Sequence, residues 1–192
     1  MSTIYTLNGK VLKNAANDKW LIKAVPPPPP EEVTIGTQTW KIHNLAIDDG
    51  QEGIYTQTVN YGQGNVTEYY YTWDAAVRVA ATVQGWRLPT VQDFMAFYTA
   101  FGNTAGTKLK STYGWSSGNG TDDYGFCALP SGYYQSGSFL NFGSESRMWT
   151  SEQYDPPRYE KANYNLFKTA AYIDNGTDYK TRGYSVRLIK DE

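Results

Sequence analysis

The chain has 192 residues, of which 40% are hydrophobic and 19% charged, and its net charge is −2. That balance suits one sizeable folded domain plus a small appendage and excludes a disordered chain. The near-neutral charge without a basic cluster argues against a nucleic-acid partner, and the single cysteine, Cys127, excludes an intramolecular disulfide or a multi-cysteine metal site.

Residues 1–6 carry no charged-then-apolar signal pattern, and no apolar run approaches membrane-spanning length. Synthesis in the cytoplasm, without the usual export route and without membrane insertion, is the expectation. Ile4-Tyr5-Thr6-Leu7 and Lys10-Val11-Leu12 flank Asn8-Gly9, a strong hairpin signal, and Trp20-Leu21-Ile22 offers a third strand. Residues 1–25 thus read as a small β unit that cannot bury a core alone and completes itself by oligomerising or by docking on a larger body. The five prolines 26–30 with Glu31-Glu32 make residues 26–32 a stiff extended linker, at roughly 3 Å per residue.

Residues 33–192 read as one α+β domain. Val33-Thr34-Ile35 and Gln38-Thr39-Trp40-Lys41-Ile42 form a hairpin turning near Gly36. Two helices follow, and no more. The first covers about 73–83, with Thr72 as N-cap and Trp73, Ala76, Val77 and Ala80 on one face. The second covers about 91–101, with Thr90 and Asp93 as a capping-box pair, Phe94, Phe97 and Phe101 as its apolar stripe, and Gly102 as its stop. Beyond Gly102 the chain is rich in Gly, Ser, Asn and Tyr, with short strand-like runs only. It closes on a strand over 184–190 whose Tyr184, Val186 and Leu188 face one way. The first and last strands of this domain are expected to pair. Trp73, Trp86, Phe94, Phe97, Trp115, Trp149 and Val186 are the expected core.

For catalysis the inventory is thin, and no enzyme is expected. The single histidine, His43, has no second histidine or cysteine near it in sequence, which favours a structural or surface role. Cys127 lies in the apolar run Phe126-Cys127-Ala128-Leu129 and reads as a buried, inert thiol. The best acidic cluster, Asp122-Asp123 among Asn and Thr oxygens, could contribute to a Ca²⁺ site or satisfy backbone donors in a loop; the second reading is favoured, so no cofactor is expected.

Binding has the stronger case. Seventeen Tyr exceed what a core of this size can satisfy, because each buried hydroxyl needs a partner, and Tyr suits adaptable recognition surfaces. Between Trp149 and Arg182, tyrosines alternate with charged and amide residues. The predicted ligand-binding residues are Tyr154, Asp155, Arg158, Tyr159, Lys161, Asn163, Asn165, Asp174, Tyr179, Lys180 and Arg182.

Eight ordered motifs carry a resemblance. They include Thr34-Ile35-Gly36-Thr37-Gln38-Thr39-Trp40, Tyr71-Thr72-Trp73-Asp74-Ala75-Ala76, Gly85-Trp86-Arg87-Leu88-Pro89-Thr90, Trp149-Thr150-Ser151 and Gly183-Tyr184-Ser185-Val186-Arg187. The series resembles the Fibrobacter succinogenes major paralogous domain family over about residues 33–190. The resemblance implies a C-type-lectin-like fold related to the formylglycine-generating enzymes. Those enzymes use a cysteine pair, which this chain lacks, and the Glu-Pro-Asn or Gln-Pro-Asp triplets of calcium-dependent sugar-binding lectins are missing too. Similar domains serve as variable proteins of diversity-generating retroelements, whose altered residues cover a binding face near the C-terminus. The implied role is a phage tail adhesin carried on the virion, binding a protein or glycan receptor of the host surface. Residues 1–25 would then attach it to the virion or make a homo-oligomer, a trimer first of all. The alternative is a bacterial cell-surface or secreted binding protein of the same family.

Overall fold

The computed structural model describes residues 6–7, 10–11, 31–154 and 161–191. The chain divides into two compact units, Met1–Pro30 and Glu31–Glu192. In the first, β1 (Thr6–Leu7) pairs antiparallel with β2 (Lys10–Val11), Leu7 opposite Lys10, as a hairpin over Asn8-Gly9 requires. The expected third strand around Trp20 lies outside the described residues.

The second unit begins with β3 (Glu32–Ile35) and β4 (Gln38–Lys41), joined through Gly36 at φ +65°. β3 therefore starts one residue inside the expected linker. Next come the hairpin of β5 (Ile54–Asn60) and β6 (Asn65–Tyr71), then α1 (Trp73–Ala80), β7 (Trp86–Arg87) and α2 (Val91–Phe101). Thr72 caps α1 by accepting from the Ala75 N–H. On α2 the capping box is complete: Thr90 accepts from the Asp93 N–H, and Asp93 accepts from the Thr90 N–H.

Four expectations need correction. α1 ends at Ala80, because Thr82 N–H and Oγ1 both bond back to the Val79 carbonyl and tighten the last turn. Its buried face is Trp73, Ala75, Ala76, Val79 and Ala80, so Val77 is exposed. Trp86 is only half-buried, with the Lys41 ammonium 4.3 Å from its ring centroid. A third helix exists: after a 3₁₀ turn at Gly102–Thr104, α3 covers Ala105–Leu109. Five residues are too few to show a helical period. α3 forms where Gly106 abuts the chain, since a Cβ there would meet the carbonyl oxygens of Tyr172 and Ala171 at 2.6 and 2.7 Å.

The C-terminal half is also more regular than its composition suggests. β8 (Tyr133–Gln135) and β9 (Ser138–Leu140) form a hairpin. β10 (Glu145–Gln153), β11 (Lys161–Lys168) and β12 (Ile173–Tyr179) form a three-stranded antiparallel meander in that order. Its polar, Asn- and Gly-containing strands have low strand propensity, and cross-strand pairing overrides it. The last strand, β13 (Ile189–Lys190), is short; it lies between β4 and β7, so β3 and β13 flank β4 in one sheet instead of pairing directly. Residues 184–188 are extended but divide their hydrogen bonds among partners: Tyr184 with Tyr71, Ser185 with Arg147 and Trp149, Val186 with Leu45, and Leu188 with Lys41. The expected one-sided pattern survives, for Tyr184, Val186 and Leu188 all enter one core cluster with Trp73, Val79 and Trp149. A second cluster gathers Trp40, Phe94, Phe97, Phe126, Met148 and Phe167. The fold is thus mixed helix and strand around small antiparallel sheets. Among the described residues, no helix is long and apolar enough to cross a membrane.

Candidate binding face

Opposed residues of the β10–β12 meander share a face, and this sorts the predicted binding residues. Lys161 lies opposite Tyr179, Asn163 opposite Thr177, and Asn165 opposite Asn175. These rows form one face, which runs on to Phe167 and Ile173 in the second core cluster beneath α2. One end of the face is therefore packed and the other open. At the open end Tyr154 is 36% and Tyr179 51% exposed. The Tyr154 N–H donates to the Lys161 carbonyl, and the Lys161 ammonium lies 5.0 Å from the Tyr179 ring centroid. Lys180 donates to Gln153 Oε1 at 2.7 Å while its ammonium lies 4.5 Å from the Trp73 ring. Aromatic rings thus hold both lysine cations at the surface.

Elsewhere the predicted residues separate. Asn163 is half-buried, its carbonyl accepting from Thr150 Oγ1 at 3.0 Å. Asn165 is not on the outer surface: it is 2% exposed, at the floor of a cleft under α2. Asp174 is exposed, with the Lys168 ammonium 3.7 Å away. Arg182 is half-buried beside Asp178, with Nε 3.6 Å from Oδ1. Asp155, Arg158 and Tyr159 lie outside the described residues. The residues that sequence reasoning missed are Gln153, Thr177 and Asn175, which only strand register places here, and Met95 and Tyr98, which flank the phenylalanine stripe of α2.

The frame beneath is tied by ring stacking and hydrogen bonds. Trp149 stacks on Tyr184 with centroids 4.2 Å apart and donates from Nε1 to the Tyr71 carbonyl at 2.7 Å. Trp73 Nε1 donates to the Thr150 carbonyl at 2.8 Å. Tyr164 folds over β12 at Gly176, where a Cβ would meet the Tyr164 hydroxyl at 2.9 Å. Arg147 lies 4.0 Å from the Tyr133 ring centroid and donates to Glu145 and to the Tyr184 hydroxyl, each at 3.0 Å. The Tyr184 hydroxyl in turn donates to Asp178 at 2.5 Å. Burial, with the Asp178 hydrogen bond, pushes the Tyr184 phenol up, so it remains a neutral donor. Among the described residues, each buried tyrosine finds such a partner: Tyr61 on Glu68, Tyr70 on the Ser131 carbonyl, and Tyr71 on the Ile47 carbonyl.

Two buried cations are bonded into the frame. Arg187, 1% exposed, donates to the carbonyls of Lys41 and Phe126 and to Asn44 Oδ1, and burial pulls it down to about 10. Lys110 donates to the carbonyls of Gly118, Lys168, Thr169 and Ala170, and burial lowers it as well.

His43 and Cys127 line a cleft of about 270 Å³ with Tyr113, Glu68 and Arg187, but Asp122 and Asp123 are not among its lining residues. Burial raises the Cys127 thiol, which keeps it protonated at neutral pH. Asp122 accepts from the Cys127 N–H at 2.8 Å, and burial raises its carboxyl, as befits a loop brace. Among the described residues, no group of three or more His, Cys, Asp or Glu could hold a metal ion.

Comparison with curated proteins and with solved structures finds no match. A family model described as the Fibrobacter succinogenes major domain matches residues 33–190, which include both core clusters and the whole meander. The chain belongs to the Fibrobacter succinogenes major domain family.

Proposed function

We propose that the chain is a non-enzymatic receptor-binding protein, a phage tail adhesin that meets the host surface through the open end of the β10–β12 face. One observation carries the reading: Tyr154, Lys161, Tyr179 and Lys180 stand exposed or half-exposed together, at the end of a meander whose Trp149, Ala162, Leu166 and Phe167 are locked into the core. Rigid aromatic anchors beside cations suit recognition, because little rotamer freedom is lost on binding. The domain is read as C-type-lectin-like, with its two ends in one sheet and the frame of Trp149 and residues 183–187 bracketing the variable-looking strands. The same bracketing supports diversification of this segment by a retroelement; a locus without a reverse transcriptase gene and without a near-copy of the 3′ end would rule that out. No metal takes part in this reading.

The deciding experiment compares the wild-type protein with a Tyr154→Ala, Lys161→Ala, Tyr179→Ala triple variant in attachment to intact host cells. Loss of attachment with an unchanged melting temperature is the expected result. Attachment equal to wild type would overturn the reading. Residues 1–25 are proposed to make a higher oligomer, a trimer first, or to dock on the virion. Sedimentation should show the full chain as an oligomer and a chain beginning at residue 26 as a monomer.

A further inference from the structure

The cleft under α2 has a volume of about 160 Å³ and is lined by Phe94, Met95, Tyr98, Asn165, Ile173, Asp174 and Asn175. Phe94, Met95 and Ile173 make its apolar wall, and one buried polar side chain lies at its floor. Asn165 is 2% exposed, and its Nδ2 has no hydrogen-bond partner. A buried amide donor without a partner is rare in a folded chain and calls for an acceptor. The side-chain amide turns about a soft, nearly two-fold torsion, so its donor end can be presented to a group entering the cleft. Asp174 and Asn175, both exposed, form the rim, and the Tyr98 ring is 46% exposed beside them.

We propose that this cleft is a subsite for the acetamido group of an N-acetylated sugar. It rests on the reading of this face as the receptor-binding one. The acetamido methyl needs an apolar wall, which Phe94, Met95 and Ile173 supply. Its carbonyl accepts from the Asn165 amide, and its N–H donates to the side-chain oxygen of Asn175, which lies opposite Asn165 on the same face. A purely apolar side chain would fill the same space and leave the Asn165 donor stranded. The rim decides between carriers. A sugar ring can lie on the exposed Tyr98 ring with its hydroxyls toward Asp174, Asn175 and Thr177, whereas the long apolar stem of an acetylated lysine would meet a polar edge strand. The lone exposed carboxylate, Asp174, is already shared with Lys168, so a neutral ligand suits the rim better than a cation.

The test titrates the full chain with N-acetylglucosamine and N-acetylgalactosamine by saturation-transfer NMR and calorimetry, with glucose, galactose and N-acetyl-lysine as controls. Saturable binding of an N-acetylated hexose, at least roughly tenfold tighter than its parent hexose, is expected from the hydrogen bond with Asn165 and the buried methyl, with the rim contact adding to both. Met95→Trp, which fills the cleft from a half-buried helix position, should abolish it. Asn165→Leu should weaken it by roughly tenfold, the scale of one lost hydrogen bond, while circular dichroism shows both variants folded. No saturable binding of either N-acetylated sugar, equal binding of the parent hexose, tighter binding of N-acetyl-lysine, or binding that survives Met95→Trp would each overturn the proposal. Should the sugars fail while the Tyr154, Lys161, Tyr179 triple variant still loses cell attachment, the subsite alone is wrong. Should the triple variant attach normally, the face itself is wrong.

Discussion

Arg187 and Lys110 at one extreme, and Lys161 and Lys180 at the other, are cations of one domain held in opposite ways. Backbone carbonyls enclose the first pair, and burial lowers the charge affinity of both. Aromatic rings and one amide oxygen support the second pair in contact with solvent. The difference lies in what water would do. Removing Arg187 takes a buried donor from the carbonyls of Lys41 and Phe126 where water has little access, so that cation is tied to the fold. The rings beside Lys161 and Lys180 lose little if a ligand replaces the cation or joins it, so those side chains are available for exchange.

The strongest test of this contrast is Arg187→Met. It strands the carbonyls of Lys41 and Phe126 and Asn44 Oδ1, and should cost about 3–5 kcal/mol, a fall in melting temperature on the order of 10 °C. A melting temperature equal to wild type would break the comparison. Lys110→Met should follow at about 2–3 kcal/mol, since four carbonyls share one ammonium and some can turn to water. Denaturant unfolding with an unchanged slope would measure it.

Asp93 stands between the extremes. Burial pushes its carboxyl up, but hydrogen bonds from Arg87 and from the Thr90 N–H and hydroxyl outweigh burial and hold it below the usual carboxylate value. The folded state therefore favours the ionised form. Its stabilisation is complete above the unfolded value of about 3.9 and is lost as the pH falls through the lower folded value. Asp93→Asn should cost about 1 kcal/mol at neutral pH and flatten the acid limb of the stability curve; an unaltered acid limb would assign the acid loss to other groups. The smallest stability effect belongs to the Tyr154→Ala, Lys161→Ala, Tyr179→Ala variant, expected to remain within about 0.5 kcal/mol per site of wild type. A large loss would make these rings part of the fold, and the contrast would fail.

Much of the first half was legible before any coordinates. α2 runs over the residues its capping box and phenylalanine spacing mark out, and the Asn8-Gly9 hairpin and the turn at Gly36 follow from local chemistry. These features involve neighbours in the chain, so a local reading finds them. The candidate face was legible as a composition and not as a place. Tyr154, Lys161, Tyr179 and Lys180 do gather at one end of the meander, but nothing local distinguishes Asn163 from Asn165, and only register puts the latter in the core beneath α2.

By itself the sequence determined the family over residues 33–190, the two principal helices and the aromatic excess, because each depends on residue type and short-range spacing. Tertiary structure alone decided the rest. α3 exists because Gly106 can approach the chain at Ala171 and Tyr172. The polar strands β10–β12 exist because they bond to one another. Residues 184–188 are divided among several partners instead of forming one ladder, since their donors and acceptors meet whichever strand the packed core brings within reach. Long-range pairing sets which amide is buried and which ring is left in solvent, and spacing along the chain carries no record of it.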